Sequence, residues 1–166
     1  LSTGNPDLKQ DFQQSLNMRY SKVNTKKANS FFALLGGNYS SNYIGNSVII
    51  AANDTLVYNN IGLQRGSQIQ RPVNLDGYFS LRSFINYTFP FSKIKTNFSV
   101  NASINFNRIP GLINMVKNYA NTSIGSLGLV MSSNISEKID FSVSSNGTYS
   151  KIVNTLQSNS NTNYYS

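Results

Sequence analysis

The chain contains no cysteine, histidine or tryptophan, and only 6 of its 166 residues are acidic. Thiol chemistry, disulfides, zinc fingers and any catalytic triad or general base built on histidine are therefore excluded. The redox compartment stays open, because a chain without cysteine suits a bacterial envelope and a cytosol equally. Long apolar runs are missing too: no stretch approaches the ~18 residues of a transmembrane helix, and Leu1-Ser2-Thr3-Gly4 has neither the basic start nor the apolar core of a signal peptide. That excludes a helical span but not a membrane, since strands that cross a bilayer leave only a weak alternating signature. The missing leader leads us to expect a shortened start or an internal piece of a longer protein.

Acidic residues are scarce enough that 14 Lys and Arg give a net charge of +8. Such an excess raises the question of nucleic acid, but the positions argue against it. Lys22, Lys26, Lys27, Lys93, Lys95 and Lys138 lie at or beside expected turns, and the remaining cations are scattered singly with no stacking aromatics between them. Only 39% of the chain is apolar and 12% charged, so Asn, Ser, Thr and Gly fill the remainder. Ten Tyr, ten Phe and long alternating runs argue against disorder.

What is present is alternation. In residues 97–107, Phe98, Val100, Ala102, Ile104 and Phe106 alternate with Asn97, Ser99, Asn101, Ser103, Asn105 and Asn107. A period of two puts the apolar side chains on one face only in an extended strand. The run is as long as the ~9–11 residues a tilted strand needs to cross a bilayer, and its polar face carries no charge.

The same pattern recurs along the chain. A first strand over 11–23 sets Leu16, Met18 and Tyr20 against Ser15, Asn17, Arg19 and Ser21, and the polar segment 25–29 turns it. A second begins near 30 with Phe31, Phe32, Leu34 and Leu35, softens at Gly36-Gly37, passes Tyr39 and Tyr43, and has an ill-defined end near Val48-Ile49-Ile50. Residues 53–70 read as a long Asn/Gly/Gln-rich connection. A long third strand from Val73 to Phe89 carries Asp76 and Arg82 on its polar face, and Pro90 is expected to end it. After the turn Phe91-Ser92-Lys93-Ile94, the fourth strand runs to about Arg108, and Pro110-Gly111 is expected to open another loop. A fifth strand carries Tyr119, Asn121, Ser123, Gly125, Leu127, Leu129 and Met131 in phase. Ser136-Glu137-Lys138 turns it into a sixth with Phe141, Val143, Gly147 and Tyr149. A polar loop over 154–163 leads to Tyr164-Tyr165, the start of a seventh.

The expected fold is therefore all-β, an antiparallel up-and-down meander of about six to seven long strands spanning 1–166, with short turns at one end and long loops at the other. Outer-membrane barrels have that asymmetry. Aromatics fit it: Tyr20, Tyr87, Phe89, Phe98 and Phe141 fall near the short turns, and Phe79, Phe106, Tyr119 and Tyr149 near the long loops, as two interfacial belts require. A soluble sandwich would show the same alternation, but its wet faces usually carry Lys and Glu and its strands are nearer ~5–6 residues.

Two motifs are discounted. Asn-x-Ser/Thr triplets begin at Asn38, Asn53, Asn86, Asn97, Asn101, Asn121, Asn134 and Asn146, but positions i and i+2 share a strand face, so a polar face of Asn, Ser and Thr generates them automatically. Asp54 and Asp76 could be imagined as metal ligands or an acid pair, yet they are far apart and have neutral neighbours. No catalytic residue, metal ligand or cofactor is expected. If ligand contacts lie in this chain, residues 53–70, 107–118 and 154–163 are where they are expected, with Tyr58, Arg65, Arg108 and Lys117 as candidates and solvated loop or lipopolysaccharide contact as the alternative.

One segment carries a family resemblance. Gly4-Asn5-Pro6-Asp7-Leu8-Lys9-Gln10-Asp11 resembles the Gly-Asn-Pro-x-Leu-Lys-Pro-Glu segment that leads into a late barrel strand of TonB-dependent outer-membrane receptors, with Gln10 and Asp11 departing from its Pro-Glu ending. Pro72-Val73-Asn74-Leu75-Asp76-Gly77, Tyr87-Thr88-Phe89-Pro90, Pro110-Gly111-Leu112-Ile113-Asn114 and Ser133 to Phe141 extend it. Together they resemble the carboxy-terminal barrel region of the Bacteroidetes-type outer membrane beta-barrel family. The resemblance implies a barrel of ~22 strands in the outer membrane, plugged by an amino-terminal domain and energised through TonB. Outer-membrane lipid, the TonB complex through a plug not present in this chain, and an unidentified transported ligand would be the partners. A passive porin or structural barrel and a soluble secreted binding or adhesive sandwich remain the alternatives.

Overall fold

The computed structural model describes residues 1–54, 56–58, 61–136, 139–156 and 162–166. Its strands are β1 (Phe12–Asn24), β2 (Asn29–Ser41), β3 (Tyr43–Ile50), β4 (Leu56–Tyr58), β5 (Ile61–Leu63), β6 (Gln68–Leu75), β7 (Tyr78–Phe91), β8 (Thr96–Ile113), β9 (Val116–Ser136), β10 (Ile139–Asn154) and β11 (Thr162–Tyr165). The meander is β1-β2-β7-β8-β9-β10-β11, every neighbour antiparallel, and it is not closed. The small hairpin β4-β5 is a separate sheet.

Cross-strand register preserves the alternation read from single strands. Tyr20, Ala33, Ile85, Ala102, Leu127 and Gly147 form one row across six strands, and Arg19, Leu34, Phe84, Ser103, Ser126 and Thr148 form the adjacent row on the opposite face. Outward apolar side chains stay uncovered: Leu16, Ile104 and Leu127 are each more than 60% exposed. Among the described residues the buried apolar side chains are Ala51, Ile69 and Leu75 in the β3-β6 region and Pro110 on β8 beside it.

Turn chemistry is local. Lys27 N–H donates to Asn24 Oδ1 (3.1 Å) and Ala28 takes φ 48°, which closes the β1-β2 turn. Between β7 and β8 a single 3-10 turn, Ser92–Ile94, ends on Lys95 at φ 50°. Pro90 is inside β7, opposite Asn97, rather than at its end; it is tolerated there because the strand is about to leave the sheet.

The larger difference lies at Pro110-Gly111, which does not open a loop. β8 continues to Ile113 and turns on Asn114 (φ 48°) and Met115 (φ 67°), a two-residue hairpin whose left-handed pair matches the strand twist. Proline survives mid-strand for a definable reason. Opposite it, Tyr119 uses its N–H on Thr155 Oγ1 (2.9 Å) and its C=O on Thr155 N–H (3.2 Å), so Pro110 faces away from β9. On its other side β7 pairing stops at Arg108 and β3 pairing starts at Leu112, so no ladder bond is lost in that gap.

The expected third strand is likewise two strands, β6 and β7, bent at Asp76-Gly77, and the 53–70 connection contains β4, β5 and the start of β6. Asn42 (φ 55°) lies opposite this bend, between β2 and β3. Register is unbroken across the bend, with Ser40 opposite Tyr78 and Tyr43 opposite Leu75, but the arms exchange sides. In the stem β7 adjoins β8; in the tip β3 does, through the parallel pairs Ser47–Leu112 and Val48–Ile113, with β6 now outside. Asn42 N–H donates to Asp76 Oδ1 (3.2 Å), Asn74 Nδ2 donates to Asn42 O (2.8 Å), and Tyr43 stacks on Tyr78 at 4.5 Å. Burial, with Tyr78 and Asp11 adding to it, pushes the Tyr43 phenol above its usual value.

The first eleven residues strap this crossing. Thr3 N–H donates to Gln70 O (3.0 Å), Asn5 Nδ2 to Pro72 O (2.9 Å) and Lys9 N–H to Asn74 Oδ1 (2.7 Å), while Ser40 Oγ bonds Asp11. Gly77 sits at φ 103° with the space for a Cβ filled by Tyr119 Cε1 at 3.0 Å. We expect Gly77→Ala to cost about 1–3 kcal/mol, read as a lower urea midpoint, through backbone strain and the ring contact. Gly125→Ala, on extended backbone with open space, is expected to leave the midpoint unchanged; equal midpoints for both would contradict the crossing geometry.

Candidate functional site

Two surfaces carry the chain's polar chemistry: the polar face of the sheet and the cationic cluster at its loop end. On the polar face the side chains lie across strands instead of standing away from them. Ser15 Oγ donates to Asn38 Oδ1 (2.7 Å) and Asn38 Nδ2 to Ser80 Oγ (3.1 Å), which links β1, β2 and β7 in one row. One row away, Arg82 reaches over β2 to Asn17 Oδ1 (3.2 Å). Gly36 makes that reach possible, since a Cβ there would stand 2.7 Å from Arg82 Nε. Gly128 does the same for Asn101, whose Oδ1 would lie 2.5 Å from an added Cβ. Thr88 and Ser99 share a bond of 2.8 Å, and Ser126 and Thr148 one of 3.3 Å.

This ladder explains why the polar face needs no ion pairs: uncharged donors and acceptors satisfy one another along the rows. A depression of about 240 Å³ is lined by Asn38, Ser80, Arg82, Asn105, Asn107 and Thr122, and Asn107 Oδ1 is buried there without a partner. It offers hydrogen bonds to a polar group, with the Arg82 guanidinium as its one charged lining side chain. The face is not uniformly polar: Phe32 and Phe84 pack at 6.1 Å, with the Arg19 guanidinium 5.0 Å from the Phe32 ring. These side chains account for the poor alternation of the second strand, where both faces carry apolar residues.

At the loop end Arg108 and Lys117 belong to β8 and β9, not to a loop as expected. The Asn114-Met115 hairpin sets Pro110 opposite Tyr119, so Arg108 and Lys117 flank that ring diagonally. Arg108 Cζ stands 3.9 Å from the Tyr119 ring centroid and Lys117 Nζ 5.2 Å. All three lie on the apolar face, one step beyond Phe106 and Phe79, which pack together at 6.1 Å. The Lys117 ammonium beside the Tyr119 hydroxyl holds its phenol below the ordinary 10.0, and Arg108 adds to that effect.

The other candidates are elsewhere. Arg65 lies in the β5-β6 turn, where its N–H donates to Asp54 Oδ1 (2.7 Å). Tyr58 ends β4, and its side chain lies outside the described residues, as do Glu137, Lys138 and residues 157–161 of the last loop. Asp54 and Asp76 each serve a backbone N–H in separate turns. Among the described residues no group of three metal-ligating side chains comes together. Tyr119 was legible as a belt aromatic but not as the centre of a cationic cluster. The signal that would have found it is Ile113-Asn114-Met115-Val116, a two-residue turn whose register brings positions 108, 117 and 119 into reach.

No family model, curated protein or solved structure matches this chain.

Lys117→Met is expected to move the Tyr119 ionisation upward toward the ordinary tyrosine value, measured by ultraviolet titration as the difference from Tyr119→Phe. An unshifted phenol would remove Lys117 from the cluster.

Proposed function

We propose that the chain is a non-enzymatic arc of an outer-membrane β-barrel wall, and that the barrel is a TonB-dependent receptor taking up a ligand across that membrane. The observation that carries the first half is the uncovered apolar face. Phe98 to Phe106 on β8 spans about 27 Å along the strand, or about 21 Å at a ~40° tilt, against the ~25 Å apolar band of such barrels. Across the six long strands this face extends over roughly 650 Å² of sheet, its apolar rows interrupted by Ser83, Ser123 and Ser145.

Aromatics border it at both ends. Tyr87, Phe89, Phe98 and Phe91 pack in series at 5.5, 5.8 and 6.4 Å near the turns, with Asn29 Nδ2 on the Tyr87 hydroxyl. Phe79–Phe106 and Tyr149–Tyr165 border the other end. The opposite face, with Arg19, Arg82 and its Asn/Ser/Thr rows, suits a hydrated lumen. Open edges at β1 and β11 would be untenable in lipid without further strands, which favours a part of a larger barrel.

The receptor assignment rests on the resemblance alone, and one contact lends it coherence: its first segment, 4–11, straps the second, 72–77, through Asn5–Pro72 and Lys9–Asn74. A passive porin would share the strand physics and differ in lacking a plug. A soluble sandwich is disfavoured because no second layer covers the apolar rows among the described residues.

Ala102 and Ser103 are adjacent and face opposite ways, which makes them a paired test. Ala102→Arg is expected to cost about 2–4 kcal/mol and to impair membrane assembly, whereas Ser103→Arg is tolerated. Heat-modifiable gel mobility in outer-membrane fractions reads the outcome, and equal assembly of the two variants would sink the topology.

A further inference from the structure

The charges of the apolar face are sorted. Its middle rows carry none; the turn end carries Lys22, and the loop end carries Lys151 in the Phe106 row, Arg108 one row beyond it, and Lys117 and Arg71 together in a row farther out. No acidic residue shares that face among the described residues: Asp7 and Asp11 are in the strap, Asp54 and Asp76 in turns, and Asp140 pairs with Asn134 on the polar face. Among the described residues the contact shown for both Arg108 and Lys117 is the Tyr119 ring, and Arg108 Nε is buried without an acceptor. Two cations therefore converge with no carboxylate to neutralise them.

A furrow adjoins them. Phe79, directly opposite Arg108 in the ladder, forms one wall of an apolar depression of about 410 Å³ whose other walls are Leu16, Leu35, Tyr39 and Leu81. Gly37 forms its floor, and a Cβ there would meet nothing nearer than Ser80 O at 3.8 Å. Strand spacing puts this floor about 10 Å to the side of the Arg108 backbone. A cationic pair beside a narrow apolar furrow, both on the face read as lipid-facing, has the polarity of an anionic amphiphile: charge at the border, chain along the strands.

We infer that this face holds a phosphate-bearing lipid, its headgroup phosphate on Arg108 and Lys117 and an acyl chain in the furrow over Gly37. Guanidinium and ammonium donors on phosphate oxygens are charge-assisted bonds, strengthened at a border where water is partly excluded. The chain contributes through buried methylenes. The site rests on the barrel-wall reading, because a face turned to a protein core could not receive a lipid.

The test reconstitutes the full receptor in phosphatidylcholine vesicles with a minor fraction of phosphatidic acid, extracts it gently and counts bound lipids by native mass spectrometry. Wild type is expected to be enriched in phosphatidic acid over phosphatidylcholine. Enrichment should fall about fivefold for each cation removed in Arg108→Gln and Lys117→Gln. Gly37→Leu should lower lipid retention with the cations intact. Lys93→Gln with Lys95→Gln, the same charge change at the opposite end, should change nothing. Equal enrichment in the cation variants, or displacement of the lipid by inorganic phosphate at matched concentration, overturns the site; the latter would make it one for a soluble anion. Enrichment lost in a receptor that still shows heat-modifiable mobility bears on the lipid site alone, whereas a receptor that never enters vesicles overturns the barrel-wall reading with it.

Discussion

Backbone pairing between neighbouring strands holds this molecule together, and nearly everything else follows from how little else does. Among the described residues few apolar side chains are buried, and those lie near one tip, so six long strands keep their place by ladder bonds and by side chains touching along rows. Among the described residues no second layer hides the apolar face of this sheet. Period-two patterning here separates an uncovered apolar face from a polar one rather than a buried core from water. Register is under the same constraint, since a slip of one residue would turn every row over.

Where that single-layer rule is broken, the chain invests specific chemistry. The tip hairpin exchanges its arms without losing register, and the exchange is held by Asn42, Asn74, Asp76, a pair of stacked tyrosines and the amino-terminal strap. β3 thereby reaches β8 and supplies the partner that β7 gives up. Ile69 is fully buried there, and Pro110 is accommodated in the gap where the partner changes. On the polar face the device is different: Gly36 and Gly128 are low points over which Arg82 and Asn101 lie to reach across strands. Glycine in a strand interior usually weakens it, yet here it sets the height of the polar layer.

The long strands were legible because period-two alternation is a local signal. Phe98 to Phe106, Leu16 to Tyr20 and Phe141 to Tyr149 each announce their own faces; β1 and β10 lie where the pattern puts them, and β8 and β9 run past its limits at Arg108 and Tyr119 to their hairpin. What escaped reading was non-local or conformational. Pro110-Gly111 carries turn residues, but its fate depends on which strand stands beside it, and that was decided by the crossing 68 residues earlier at Asn42. The long run from Val73 to Phe89 keeps its alternation straight through Gly77, so nothing in the pattern marks the bend. Arg108 and Lys117 were singled out as loop cations; only the Asn114-Met115 turn reveals that they share a tyrosine. The mixed faces of β2 became intelligible once Phe32 and Phe84 were seen to meet on the polar side.

Seven strands lie on the main path and each runs against its neighbour, so the two edges, β1 and β11, point the same way. Rolling this sheet up on itself, or joining copies of it head to tail in a ring, would bring together two strands of like direction at every seam. An all-antiparallel wall can be completed only by a complement containing an odd number of strands. Handedness of traffic along the perimeter, up one stave and down the next, is thus an arithmetic property of the arc, and a ring closed from the described strands alone would carry a parallel seam.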